Sequence, residues 1–412
     1  MYRNIAVILR YLGGNFGNIL LWIFLLLLML DPTNTIFHKK DIVFCLVMAY
    51  NLIFLKPDLS KLPYVVIFIC SVSIPYIISC MLMTPSDEDE TLAIFKASAP
   101  VLLLFWVKNY DLVKLSRGPV VICCILSALA YIGMLMDPLV EKAVWAFMSA
   151  TEFPVMMSRR TILGVELFTF YLKSFVSFLF VVAYYMLVLM NKTRLNILTI
   201  LYMVFIIIAF IASGTRSTML VPFFLFVVIA FKVYKNTKYM KYIMMPLVFF
   251  VAIAFIVVLV AAATETTENS NVVKYGHLAS YLNLFDENPI YMLFGQGPGT
   301  SFFSEGFNQI VYKTEWSYLE LIRSFGIFSL GIVFVFFKPL LTFWRGRNDD
   351  DFTYCMFWAY LSYLLIAGTN PLIMSSTGMI TLLMAYSYED KFKNLKSATI
   401  IQYTIKGRFM SR

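Results

Sequence analysis

Residues 264–315 read TETTENSNVVKYGHLASYLNLFDENPIYMLFGQGPGTSFFSEGFNQIVYKTE, and no other stretch of the 412-residue chain is like them. The interval gathers acids, amides, His277, a glycine cluster and the approach to a helix. Almost everything around it is apolar runs of bilayer length with short polar joints. A polar segment of this length between tightly joined elements is more often functional than ornamental. The fold follows from this contrast: a hydrophobic frame holds the long loop, and a few charges facing it, at a membrane surface.

Composition agrees. The chain is 60% hydrophobic and 14% charged, with 39 Phe, 25 Tyr and 23 Met. Soluble domains are about 45–50% apolar and about 25% charged. A departure spread over the whole length means an all-α, polytopic membrane protein. The net charge of +9 does not indicate nucleic acid, because no basic run is dense enough; topology explains it better. All six cysteines lie inside apolar runs without CxxC spacing and read as packing residues.

Windows long enough for a helical span need about 20 residues. They fall near 12–30, 41–56, 63–83, 92–108, 118–136, 166–190, 195–212, 217–232, 242–263, 316–341, 352–371 and 372–388, about twelve in all. The first has no small-residue cleavage site after it and reads as a retained span. With the amino terminus inside, 22 of the 33 basic residues fall in inner joints and eight in outer ones. Lys96, Lys173 and Arg323 fall within spans. The asymmetry satisfies the positive-inside rule. It predicts one integral membrane domain over 1–412, with outer loops at 137–165 and 264–315 and a basic inner tail at 389–412.

Charges at or within spans are costly and default to a functional hypothesis. Arg216 sits in SGTRST, a polar turn between two spans. It is either a snorkelling helix-end residue or, ringed by small donors, a bidentate phosphate ligand. Arg159 and Arg160 oppose the topological trend, so a phosphate or acidic sugar, or Glu152 or Glu166, must offset them. In the long loop stand Lys274, His277 and the glycines Gly295, Gly297 and Gly299. Their GxGxG spacing has no preceding strand and contains Pro298, so a dinucleotide fingerprint fails. A tight turn approaching something closely is the reading left. In TEWSYLELIRSFG, Glu320 and Arg323 are three apart and meet on one helix face. They are either a self-neutralising pair or substrate ligands. Glu315, at the helix start, is either a helix-dipole carboxylate or a general base. His277 is either structural or catalytic. No metal-ligand spacing, GxSxG motif or Ser-His-Asp set appears, so neither a metal nor a cofactor is expected.

SGTRST closing a span, followed by VKYGHLASYLNLFDENP, GQGPGTSFF and TEWSYLELIRSFGIFSLGI, resembles the bacterial O-antigen polymerase family (Wzy-type), which is related to the O-antigen ligases. The resemblance covers about 210–335 by motif order and spacing, and the rest by span count and hydropathy. It implies a GT-C-like glycosyltransferase in the bacterial inner membrane, acting at the periplasmic face. Such an enzyme joins undecaprenyl-pyrophosphate-linked oligosaccharide repeats, with membrane lipids, a chain-length-regulating co-polymerase and a flippase as partners. Arg216 matches the span-end arginine, whose natural role is pyrophosphate binding. Lys274 stands where the family often has Arg. Glu315 stands where the ligases tend to carry His, which favours polymerase over ligase.

On this reading Arg216, with Arg159 or Arg160, holds the pyrophosphate, and the GQGPG turn shapes the sugar cleft. The base is left open between Glu315 and His277. The competing readings are a ligase transferring glycan to lipid A-core, and a lipid-linked oligosaccharide flippase. A transporter should carry midplane charges and discontinuous, repeated helices; here the polar residues concentrate on one face.

Overall fold

A computed structural model describes residues 2–151, 155–162, 165–191, 196–234 and 269–410, with isolated positions at 242, 246, 250 and 253. Within these, the side chains of 2–14, 159–162, 165–167, 191, 216, 269–270 and 395–410 lie outside the described residues. Most of the span at 242–263 and the start of the long loop also lie outside them.

The chain is mostly helical. In order come α1 (Tyr2–Leu30), α2 (Lys40–Phe54), α3 (Leu62–Met81) and α4 (Glu88–Ser98), which continues as 3-10 helix over Ala99–Asn109. Then follow α5 (Leu112–Leu115), α6 (Arg117–Met136), α7 (Pro138–Thr151), β1 (Val155–Ile162), β2 (Val165–Leu172), α8 (Leu179–Asn191), α9 (Ile197–Ala212) and α10 (Arg216–Tyr234). The long loop carries α11 (Asn269–Glu287), α12 (Ile290–Phe294), β3 (Phe302–Ser304) and β4 (Gln309–Val311). The chain continues through α13 (Ser317–Phe325), α14 (Ser329–Gly346), α15 (Asp351–Gly368) and α16 (Ser376–Met410).

Among the described residues, five helical stretches are long and apolar enough to cross a membrane: Leu59–Met81, Glu88–Asn109, Leu112–Met136, Ser217–Tyr234 and Ser317–Gly346. Three shorter apolar helices cover Asn15–Leu30, Phe175–Met190 and Ile197–Ala212. Large apolar side chains point outward along them, among them Ile69, Ile77, Leu129, Leu201 and Ile207, as lipid-facing helices require. The protein is therefore membrane-embedded.

Three expectations need correction. The fold is not purely α, because β1–β2 and β3–β4 form two antiparallel hairpins. The window at 166–190 opens as strand: VELFTFYL alternates and is rich in β-branched and aromatic residues, which suits a strand paired with β1. Helix starts only after a 3-10 turn at Phe175–Phe178. Finally, 264–315 is not an irregular loop over its described part. Two helices and a hairpin fold there around Tyr281, Phe302 and Val311.

Local chemistry sets the other boundaries. The run Asp87-Glu88-Asp89-Glu90 starts α4: Asp87 accepts from Glu90 N at 3.0 Å, and the three following acids occupy the first turn, where the helix dipole favours them. Asp350 caps α15 through Thr353 N at 2.8 Å. The core centres on α8, α15 and α16, where Tyr360 and Tyr386 keep their buried hydroxyls bonded to helix carbonyls. Tyr360 donates to Phe336 O at 2.6 Å and Tyr386 to Val335 O at 3.0 Å, which satisfies both buried hydroxyls.

The joints sort into two groups. At one end Lys61 pairs with Asp390 at 2.6 Å, Lys391 with Asp111 at 2.7 Å, and Glu389 with Lys338 and Lys393. These are joints that the charge count assigns to the inner face. Those assigned to the outer face meet at the other end, around a cleft.

Candidate functional site

The cleft has a volume of about 760 Å³. Its walls come from the turn between α1 and α2 with the start of α2 (Pro32, His38, Lys40, Asp41), α4 (Asp89, Glu90, Lys96), the first hairpin and the residue after it (Met156, Tyr171, Lys173), the end of the long loop with α13 (Lys313, Glu320), and 370–377, which runs into α16. Five segments far apart in sequence converge there, and they bring four lysines.

The lysines differ in what holds them. Lys40, largely buried, donates to Pro32 O at 2.7 Å and to Ser376 Oγ at 3.2 Å. Lys313 pairs with Glu90 at 2.6 Å, tying the long loop to α4. Lys96 and Lys173 make no ion pair or hydrogen bond among the described residues. Burial pushes the Lys173 ammonium below its ordinary value, and the Lys313 charge adds to that. Burial also lowers Lys40, with Lys96 adding to the effect against Asp41 and Asp31. The same walls carry Asp41, Asp89, Glu90 and Glu320, so the cleft's capacity for an anion rests on Lys96 and Lys173, the lysines left without a bonded partner among the described residues.

The residues singled out from sequence separate into groups. Glu320 lines the cleft, but its carboxylate is fully engaged. Arg323 reaches it from NH2 at 2.5 Å and from Nε at 3.2 Å, Tyr281 OH at 2.6 Å, and Ser324 Oγ at 3.0 Å. Arg323 itself is 1% exposed. Its remaining donors go to Gln296 Oε1 (2.6 Å), Thr300 O (3.1 Å), Thr300 Oγ1 (3.0 Å) and Tyr312 O (2.9 Å), and it lies over the Phe302 ring. The guanidinium is the knot of the folded loop rather than an open ligand.

The glycine cluster does approach something closely, and that something is the protein. Gly297 has φ +103, and a Cβ there would lie 2.3 Å from Ser79 Oγ on α3. Gly299, at φ +78, would meet Thr91 Oγ1 of α4 at 2.0 Å. Asp87 N donates to Gly299 O at 2.9 Å, and Ser86 bridges Thr300. Gly295, also left-handed, passes the carbonyl of Ser324. Only residues without a Cβ fit here, so GQGPG staples the loop to α3, α4 and α13.

Lys274, His277 and Glu315 form a third group, and none of them lines the cleft. Lys274 meets Glu315 at 3.4 Å, and Trp316 Nε1 donates to Lys274 O at 3.0 Å. His277 is fully buried, with Nδ1 2.7 Å from Ser304 Oγ and Nε2 without a partner. Burial lowers its pKa against the opposing pull of Glu315.

The side chains of Arg216, Arg159 and Arg160 lie outside the described residues, but their backbones are placed. Gly214, at φ +59, packs on Thr169, which pairs with Ser158. Met156 and Tyr171, the pair on the same hairpin face two residues along, line the cleft. The SGTRST turn is thus about 7 Å of strand from the cleft wall. Its small donors are used inside the turn: Ser213 Oγ donates to Phe210 O at 2.6 Å and Thr218 Oγ1 to Thr215 O at 3.1 Å.

Sequence reasoning missed Lys40, Lys96, Lys173 and Lys313 as a set. The available signal was the cost of Lys96 and Lys173 inside apolar windows. No known family model matches the chain, and no curated protein matches it.

Proposed function

We propose that this chain is a glycosyltransferase of lipid-linked oligosaccharides: an O-antigen-type polymerase of about twelve spans and GT-C-like architecture, with the cleft at the periplasmic face of a bacterial inner membrane. The observation that carries the reading is the four-lysine cleft at the end of a membrane-embedded helical frame, with the SGTRST turn beside it. A lipid-diphosphate donor needs unpaired ammonium groups at its headgroup, which Lys96 and Lys173 supply, and its tail among the apolar helices.

In the reaction, an acceptor hydroxyl oxygen forms a bond to the donor's anomeric carbon. The carbon–oxygen bond to the diphosphate breaks, and the lipid diphosphate leaves with the electron pair. Preorganised ammonium groups stabilise the charge that develops on that leaving group, and they do so more strongly in a recess than in water. Lys96 and Lys173, which carry no internal counter-ion, are available for this. Arg216, Arg159 and Arg160 would extend the same grip from the hairpin side.

The test uses purified protein in detergent with undecaprenyl-pyrophosphate-linked repeat units. Longer glycans on the lipid are expected. Transfer to lipid A-core without chain growth would make the chain a ligase. Movement of substrate across vesicles, with no growth in detergent, would make it a flippase.

A further inference from the structure

We propose that His38 is the base that takes the acceptor hydroxyl proton in this cleft, an inference that rests on the glycosyl-transfer reading above. His38 lines the cleft, and it sits on a turn closed by a dense hydrogen-bond network. Asp31, 1% exposed, gathers the backbone N–H groups of Thr35 (3.0 Å), Ile36 (2.9 Å) and Phe37 (2.9 Å) onto its carboxylate. Asn34 accepts from Lys40 N at 3.1 Å and donates to Asp41 at 3.2 Å. Lys40 closes the turn onto Pro32 and Ser376.

That network holds two non-glycine residues in the left-handed region: Asn34 at φ 62 and His38 at φ 49. Asn tolerates this conformation through local hydrogen bonds. His38 has no such bond among the described residues and stays exposed. A side chain kept in an unfavourable backbone state by a surrounding network, and facing a cleft, is the pattern of a functional position.

The other proton acceptors in the cleft are occupied or poorly placed for the task. Glu320 receives four donors. Glu90 is paired with Lys313, and Asp41 accepts from Asn34. Asp89 lies in the first turn of α4, where the helix dipole engages its charge. Imidazole is the side chain that changes charge nearest neutral pH, which suits a general base. In the step, an imidazole nitrogen lone pair takes the hydroxyl proton as the oxygen bonds to the anomeric carbon and the diphosphate departs. The imidazolium then releases its proton to water.

The test is His38→Gly in the chain-growth assay. Glycine relieves the left-handed strain, so this variant retains the turn. The expected result is a fall in kcat of about 100-fold, with KM for the lipid-linked unit unchanged and growth partly restored by added imidazole. Wild-type growth with His38→Gly equally active would overturn the assignment alone. Loss that imidazole does not rescue would also overturn it, reducing His38 to a positioning residue. Loss in Asp89→Asn but not in His38→Gly would move the base to Asp89. Absence of growth in the wild type would overturn the polymerase reading and this proposal together.

Discussion

Gly214 of the SGTRST turn lies against Thr169 of β2 so closely that a β-carbon on the glycine would fall 2.0 Å from Thr169 Cγ2. This contact fastens the turn bearing Arg216 to the hairpin whose next same-face rung, Met156 and Tyr171, forms one wall of the lysine cleft. Gly214 also has φ +59. Gly214→Ala is therefore expected to lose most chain growth, with a backbone cost of about 1–2 kcal/mol in addition to the clash. Thr169→Ser removes the clashing methyl and keeps the hydroxyl that bonds Ser158. The double variant should regain part of the activity and of the thermal midpoint lost in Gly214→Ala. A double variant no better than the single one would show that the contact does not position the turn.

Lys96 and Lys173 are the cleft lysines with no ion pair or hydrogen bond among the described residues. Replacing either with Met should weaken binding of inorganic pyrophosphate, measured by calorimetry. Replacing both should reduce chain growth about 100-fold. Lys142, on α7 and not in the cleft, is the matched control whose replacement leaves both unchanged.

The same lysines predict a pH limit. Burial holds the ammonium groups of Lys173 and Lys40 below the ordinary 10.5, so each loses its charge at a lower pH than a free lysine. Pyrophosphate binding should be complete at neutral pH and fall as pH rises, with a midpoint below 10.5. Lys173→Arg should move that midpoint upward. An unchanged profile in Lys173→Arg would remove Lys173 from the anion contact.

Arg323 is the most consequential single side chain in the folded loop. Arg323→Met takes two of Glu320's four donors and leaves Gln296 Oε1 and the carbonyls of Thr300 and Tyr312 without the donor Arg323 supplies. Removing one partner from such a buried set costs about 3–5 kcal/mol. The expected readout is rapid hydrogen exchange and proteolysis across 269–315, with the helical frame unaffected. Lys313→Gln is the contrast: its pair with Glu90 is half-exposed and is worth about 0–1 kcal/mol.

His277 makes the loop sensitive to acid. Burial lowers its folded pKa below 6.5, so the unfolded loop binds a proton that the folded loop resists. Stability is full above the unfolded pKa and declines as pH falls through about 6.5, by up to about 1.4 kcal/mol per pH unit. The decline ends once pH drops below the folded pKa. His277→Gln should flatten this dependence in hydrogen exchange of 269–315 between pH 7 and 5.

How much of this was legible in the sequence depends on the range of the interaction involved. Five of the apolar windows, and the Glu320–Arg323 pair one helix turn apart, are local features, and each is found where the pattern puts it. The strand at Val165–Leu172 was lost inside an apolar window, because hydropathy reports burial and not backbone period. GQGPG was read as a close approach, but its partners Ser79 and Thr91 lie some two hundred residues away, and nothing in the motif names them.

The 264–315 stretch and the charge asymmetry alone determined a membrane-embedded helical frame with a polar structure at one end. Transfer of apolar residues out of water and the helix's internal hydrogen bonding are set residue by residue. The tertiary structure decided which charges share a space. Lys40, Lys96, Lys173 and Lys313 come from four separate segments, while Arg323 and His277 turn inward to hold the loop. Whether a charge is left without a counter-ion depends on every neighbour the fold brings to it, and that sum is not written along the chain.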